Sequence, residues 1–206
     1  HLCGASFNLF VERVIHRHYL GMEIPTSVFY AIDPLFMILF GAVIARCLAK
    51  IQKPNYIVAS FSKFTLALLI FSLAMLVFTF AAYLGTQYGS ASGLTVVICY
   101  SLCATSELCI VPIALSLVTK LSPAGKTGLI VGLYGFSDAI ASFFTGVIAT
   151  SGVVNFTVHS LQSREMAARI YLQLFAHLSV ALLVSAVVVM LIRYVLSRRQ
   201  ECGAML

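Results

Sequence analysis

Glu107 is the residue of this chain best placed to do chemistry, because it falls near the middle of an apolar run from about Leu94 to Leu121. A charge at that depth of a membrane costs several kcal/mol unless it faces a cavity or a partner. There, a proton and a bound cation can compete for the one carboxylate. Two more carboxylates occupy comparable places: Asp33, directly before Pro34, and Asp138. Tyr134 stands four residues before Asp138, so the two share one helical face, and that face can line a cavity. The chain carries no cluster with metal-ligand spacing and no nucleotide-binding loop. A membrane-embedded enzyme using Glu107 and Asp138 as a carboxylate pair would lack the metal ligands a membrane hydrolase needs. No catalytic residue, metal site or enzyme activity is expected.

Positioning these groups falls to long apolar segments. Hydrophobic residues make up 61% of the chain and charged residues 10%, against about 25% charged in soluble domains. The mean hydropathy is +1.01. An all-α, polytopic membrane helix bundle follows. Spanning takes about 20 mostly apolar residues, and five stretches qualify: about 26–48, 61–84, 94–120, 128–150 and 170–195. Residues 1–11 form a partial helix too short to span. The chain opens on His1, inside that apolar segment, and reads as a piece of a larger protein that begins within a helix.

Punctuation between the stretches is plain. Pro25, followed by Thr26 and Ser27 as candidate caps, starts a helix, and Pro34 removes a backbone donor inside it, so a kink is expected near Asp33. Ser122-Pro123-Ala124-Gly125-Lys126 is a turn. Gly128 and Gly132 form a small-xxx-small pair that permits close helix approach. The stretch at 61–84 bears Lys63 as its ionisable group, and its Phe and Leu stripes are expected to face lipid.

Charge placement orients the bundle. Nine basic residues, from Arg46, Lys50, Lys53 and Lys63 through Lys120 and Lys126 to Arg193, Arg198 and Arg199, fall on one side; Arg13, Arg17, Arg164 and Arg169 fall on the other. The richer side is expected to be cytoplasmic, with the C-terminus inside a cell membrane. In a soluble protein the net charge of +6 would suggest nucleic acid, but here no nucleic-acid partner is expected. Cys47, Cys99, Cys103 and Cys109 read as small apolar packing residues. His16 and His18 read as a solvated or headgroup-facing loop, with metal binding or pH sensing as the sharper alternative. His177 reads as a helix-contact histidine, with a proton relay as its alternative.

Three segments resemble the proton-dependent oligopeptide transporter family of the major facilitator superfamily. Ser106 to Pro123, with its run Leu115-Ser116-Leu117-Val118-Thr119-Lys120-Leu121-Ser122-Pro123, is similar to the family's tenth of twelve helices. Ile24-Pro25-Thr26-Ser27-Val28-Phe29-Tyr30-Ala31-Ile32-Asp33-Pro34-Leu35-Phe36 is similar to the eighth. Gly128 to Ser137 is similar to a third family segment. The resemblance implies the C-terminal six-helix half of a major facilitator fold with its first helix truncated, and a missing N-terminal six-helix half as partner.

It further implies a part of a proton-coupled di/tripeptide symporter, contributing the C-terminal wall of the peptide cavity and inactive alone. The proton is the coupling ion and no cofactor is implied. Glu107 takes the role of anchor for the peptide's ammonium group, against a helix–helix hydrogen bond from a protonated Glu. Asp33 replaces an Asn that contacts the peptide backbone, and an ionised carboxylate only accepts hydrogen bonds. It therefore either favours cationic substrates or adds a titrating site; capping the backbone near Pro34 is the structural alternative. Tyr134 replaces a pocket Trp, and Asp138 replaces an uncharged residue, with packing and a salt bridge as their respective alternatives. Substrate, lipid bilayer and missing half are the implied partners. A degenerate or regulatory membrane fragment without transport is the competing function, and the reading frame upstream of His1 separates the two.

Overall fold

The computed structural model describes residues 2–15, 18–19, 22–50, 56–88, 90–151 and 161–203. Helices dominate: α1 (Leu2–Val14), α2 (Thr26–Tyr30), α3 (Ile32–Lys50), α4 (Tyr56–Tyr88), α5 (Gly93–Leu121), α6 (Thr127–Ser151) and α7 (Leu161–Gly203). The short strands β1 (His18–Tyr19) and β2 (Met22–Glu23) pair antiparallel, with His18 opposite Glu23. Five spans are long and apolar enough to cross a membrane: Thr26–Lys50, Ile57–Tyr88, Gly93–Leu121, Thr127–Val147 and Met166–Arg198. The chain is an all-α, multi-pass membrane bundle.

Local chemistry sets the breaks. α2 and α3 are separated at Ala31, in the first span, because Pro34 has no N–H to return to the Tyr30 carbonyl. The Leu35 N–H donates to the Ala31 carbonyl at 3.3 Å, which restarts the ladder one residue later. The cap expected from Thr26 and Ser27 is not made: Pro25 holds the N-cap position of α2, without a side-chain cap bond. α5 does have one, from the Leu94 N–H to Ser92 Oγ at 3.3 Å. The α5–α6 turn closes with Lys126 N–H on the Pro123 carbonyl at 3.1 Å, and Gly125 takes φ of 80° there, a conformation that suits glycine.

The core lies at the end of the bundle that carries the α4–α5 connection. Phe7 and Phe10 of α1, Phe78 of α4, Tyr100 of α5 and Phe175 of α7 are all fully buried. Phe7 stacks on Phe78 with centroids 4.1 Å apart, and Phe10 meets Phe175 edge-on at 5.3 Å. In lipid, helix association rests on such packing and on interhelical hydrogen bonds rather than on hydrophobic expulsion from water. Two such bonds tie α4 into place: Ser106 Oγ donates to the Ala67 carbonyl at 2.9 Å, and Ser72 Oγ to the Ser179 carbonyl at 3.4 Å.

The central place of α4 corrects the expectation that its Phe and Leu stripes face lipid. The leucine stripe does face outward, with Leu66, Leu69, Leu73 and Leu76 exposed, but Phe78 is enclosed because α4 packs on both α5 and α7. The glycine expectation also changes. A Cβ placed on Gly128 or Gly132 would meet no described atom within 4 Å, so the small-xxx-small face of α6 makes no close approach here. Close approach occurs at Gly85, where a Cβ would overlap Val14 Cγ1 and lie 3.3 Å from Ala168 Cβ. Cys99, Cys103 and Cys109 are buried thiols outside any disulfide, whereas Cys47 is exposed.

Candidate functional site

Asp33 lies in the first turn of α3, just past the break at Ala31. A carboxylate is favourable there because the helix N-terminus carries a partial positive charge. Its Oδ1 is buried and has no hydrogen-bond partner among the described residues. Asp33 therefore does not make the capping bond that was its structural alternative.

α3 packs along α5, and this brings Asp33 within electrostatic reach of Glu107. Glu107 is half-buried at the midpoint of α5. It makes no hydrogen bond among the described residues, so the helix–helix bond expected of a permanently protonated Glu is not formed there. Five residues on, Pro112 interrupts the α5 ladder, leaving the Leu108 carbonyl beside Glu107 without its usual helix donor. Polar backbone and acidic side chain thus meet in one stretch of a membrane-spanning helix.

Two aromatic residues on the helices that carry the pair touch each other, and sequence reasoning passed over both. Tyr30 of α2 and Tyr100 of α5 meet edge-on, with centroids 6.5 Å apart. Tyr100 precedes Glu107 by two helical turns and Tyr30 precedes Asp33 by one. The signal was available as spacing: i−7 and i−3 keep each Tyr on the face of its carboxylate.

Tyr134 and Asp138 stand on α6, which rests against α5 and α1. Tyr134 is half-buried and Asp138 exposed. The backbone carbonyl of each accepts a bond from a serine on the same helix, Ser137 Oγ at 2.7 Å for Tyr134 and Ser142 Oγ at 2.9 Å for Asp138. The structure therefore draws Asp33 and Glu107 together, and sets the α6 pair on a neighbouring helix. Among the described residues no group of three or more His, Cys, Asp or Glu could hold a metal.

Of the remaining candidates, His177 is exposed on α7, where its Nδ1 lies 2.7 Å from the Gln173 carbonyl. That contact is made within α7 itself, one turn back. His16 lies outside the described residues, as does the side chain of His18.

A family model described as POT family matches residues 3–166. The chain is 31% identical over 145 residues to a peptide transporter, YePEPT, of Yersinia enterocolitica, covering 69% of this chain and 28% of that protein. It is 29% identical over 203 residues to dipeptide and tripeptide permease B of Aeromonas hydrophila, covering 96% of this chain and 39% of the relative. The chain thus spans about two fifths or less of the length of these curated relatives. Among solved structures, tetrameric PepTSo2 superimposes with a TM-score of 0.72 at 20% identity, over 96% of this chain and 39% of that one. A peptide transporter POT crystallised in complex with alafosfalin gives 0.63 at 21% identity, over 89% and 36%.

Proposed function

The chain belongs to the POT family, and from that premise we propose that it forms the C-terminal wall of the peptide cavity in a proton-coupled di/tripeptide symporter of the cell membrane. The C-terminus faces the cytoplasm, as the basic residues require. A six-helix N-terminal half supplies the opposite wall. Alternating access needs two halves moving about a midplane site, so this chain alone does not transport.

The observation that carries the reading is the pair Asp33 and Glu107. Two carboxyl groups on adjacent membrane helices, without hydrogen-bond partners among the described residues, suit a cation that arrives and leaves. In this reading Glu107 holds the peptide's ammonium. Asp33 takes a peptide N–H or a cationic side chain, and Tyr134 and Asp138 line the side-chain pocket. A proton replaces the ammonium on Glu107 when the site is empty of peptide, which couples the two flows. The wall-forming faces have the right chemistry as well: α3 and α6 carry exposed apolar residues such as Leu35, Leu133 and Phe136, open to a covering half.

The test is radiolabelled dialanine uptake into proteoliposomes by the complete two-half transporter, driven by an inward proton gradient. Glu107→Gln is expected to abolish gradient-driven uptake. Uptake unchanged by that substitution across acidic and neutral external pH would remove the anchor role.

A further inference from the structure

α3 and α4 both pack on α5 but scarcely on each other, and the space between them is a cavity of about 380 Å³. That lies within the range of small-molecule sites, roughly 300–1,000 Å³. Its floor is Leu108, Pro112, Ile113 and Ser116 of α5. At about 100° per residue, Leu108, Pro112 and Ser116 lie on a different face of α5 from Glu107. This cavity is therefore separate from the carboxylate pair.

Its lining has an amphiphilic pattern. The α3 wall is small and smooth at Gly41, Ala45 and Ala49, while the α4 wall carries Ser60 and Lys63. Lys63 is the one charged residue among the described lining residues, half-buried, with no hydrogen bond or ion pair to another described residue. Its depth is informative. α4 has 33 residues, roughly 50 Å at about 1.5 Å each, against a hydrocarbon core of roughly 30 Å. Centred on that core, the helix projects about 10 Å on each side. Lys63 comes seven residues after Tyr56, about 10 Å along by the same rise, at the level where hydrocarbon meets headgroups. Ser116, five residues before the end of α5, falls at the same level.

We propose that this groove binds an anionic phospholipid. The Lys63 ammonium pairs with the lipid phosphate, the Ser60 hydroxyl donates beside it, and the alanine and leucine walls carry the upper part of an acyl chain. Charge complementarity selects the occupant. A zwitterionic headgroup would bring its own cation toward Lys63, and a free phosphate ester would leave the apolar walls uncovered. Basic pockets between helices at the cytoplasmic interface suit acidic headgroups, and the charge asymmetry of the chain puts the groove on that side.

The test uses the purified chain in nanodiscs of phosphatidylcholine doped with photoactivatable phosphatidylglycerol or, separately, photoactivatable phosphatidylcholine, with crosslinked peptides mapped by mass spectrometry. Phosphatidylglycerol is expected to label the groove segments of α3, α4 and α5 more than phosphatidylcholine does. Lys63→Gln is expected to cut that labelling about fivefold, and Lys63→Arg to retain it. Ala45→Phe, which fills the groove from an exposed position and leaves the charge in place, is expected to abolish it. Equal labelling by the two lipids, no effect of Lys63→Gln, or displacement by soluble glycerol phosphate would each overturn the proposal. Absence of any groove labelling would do so too, in favour of a surface covered by protein.

Discussion

Asp33 and Glu107 stand near each other on α3 and α5, and neither has a hydrogen bond among the described residues. Two negative charges so placed repel unless a proton or a cation intervenes. The occupant that satisfies both is dicationic or carries several N–H donors. In the proposed transporter, peptides with a lysyl side chain are expected to compete better than neutral ones for uptake. Asp33→Asn is expected to lower that lysyl preference about tenfold, read as the ratio of inhibition constants against labelled dialanine. Glu107→Gln, which leaves no uptake to inhibit, is expected to weaken every peptide, charged or neutral, by at least about thirtyfold, read as the dissociation constant from equilibrium binding. At this scale much was legible. An isolated carboxylate in an apolar run signals itself by cost, and Asp33 beside Pro34 signals a break. What could not be read was that the break falls at Ala31, or that the Tyr30 and Tyr100 rings touch each other. Those depend on how α2 leans on α5, and residue types do not encode that lean.

Among the elements, α4 shows how a uniform stretch hides its neighbours. Its residues are apolar on every side, so no stripe distinguishes the face that meets α5 and α7 from the face that meets lipid. Only small residues betray the packed face: Ala67, Ala74, Ala81 and Ala82 are buried, and large leucines alternate with them outside. Met75 and Phe78 are the exceptions, two large side chains on the packed face. Phe78→Ala is expected to destabilise the bundle by about 3–5 kcal/mol, measured by detergent or denaturant unfolding. The two glycine sites give a paired prediction. Gly85→Ala drives a methyl into Val14 and is expected to cost about 1–3 kcal/mol. Gly132→Ala meets open space and should leave the stability of this chain unchanged to within about 0.5 kcal/mol. Spacing alone had pointed to Gly128 and Gly132 as the close contact. A small-xxx-small pair offers a smooth face; it does not say which helix comes to it.

For the whole molecule, the balance of basic residues gives a direct expectation of orientation. In a cell-membrane vesicle assay, a cysteine placed by Lys126→Cys in the α5–α6 turn should react with an impermeant maleimide only when the cytoplasmic face is accessible. Labelling from the opposite face would reverse the topology. Fold class followed from composition and length, because five long apolar runs leave few alternatives. The arrangement of helices did not follow, since one apolar helix packs on another by shape that only the assembled bundle displays.

The aromatic centre has one more consequence, for the time at which it can form. Phe7 and Phe10 sit on the first helix, and Phe175, which they both touch at 5.3–5.5 Å, sits on the last. At roughly 5–20 residues per second, a ribosome delivers Phe175 on the order of ten seconds after Phe7. During that interval the helices between them are made one after another, and the slot that Phe175 fills beside α1 stays open. The nascent chain must hold its early segments in the bilayer, unsealed, until α7 arrives to lock them.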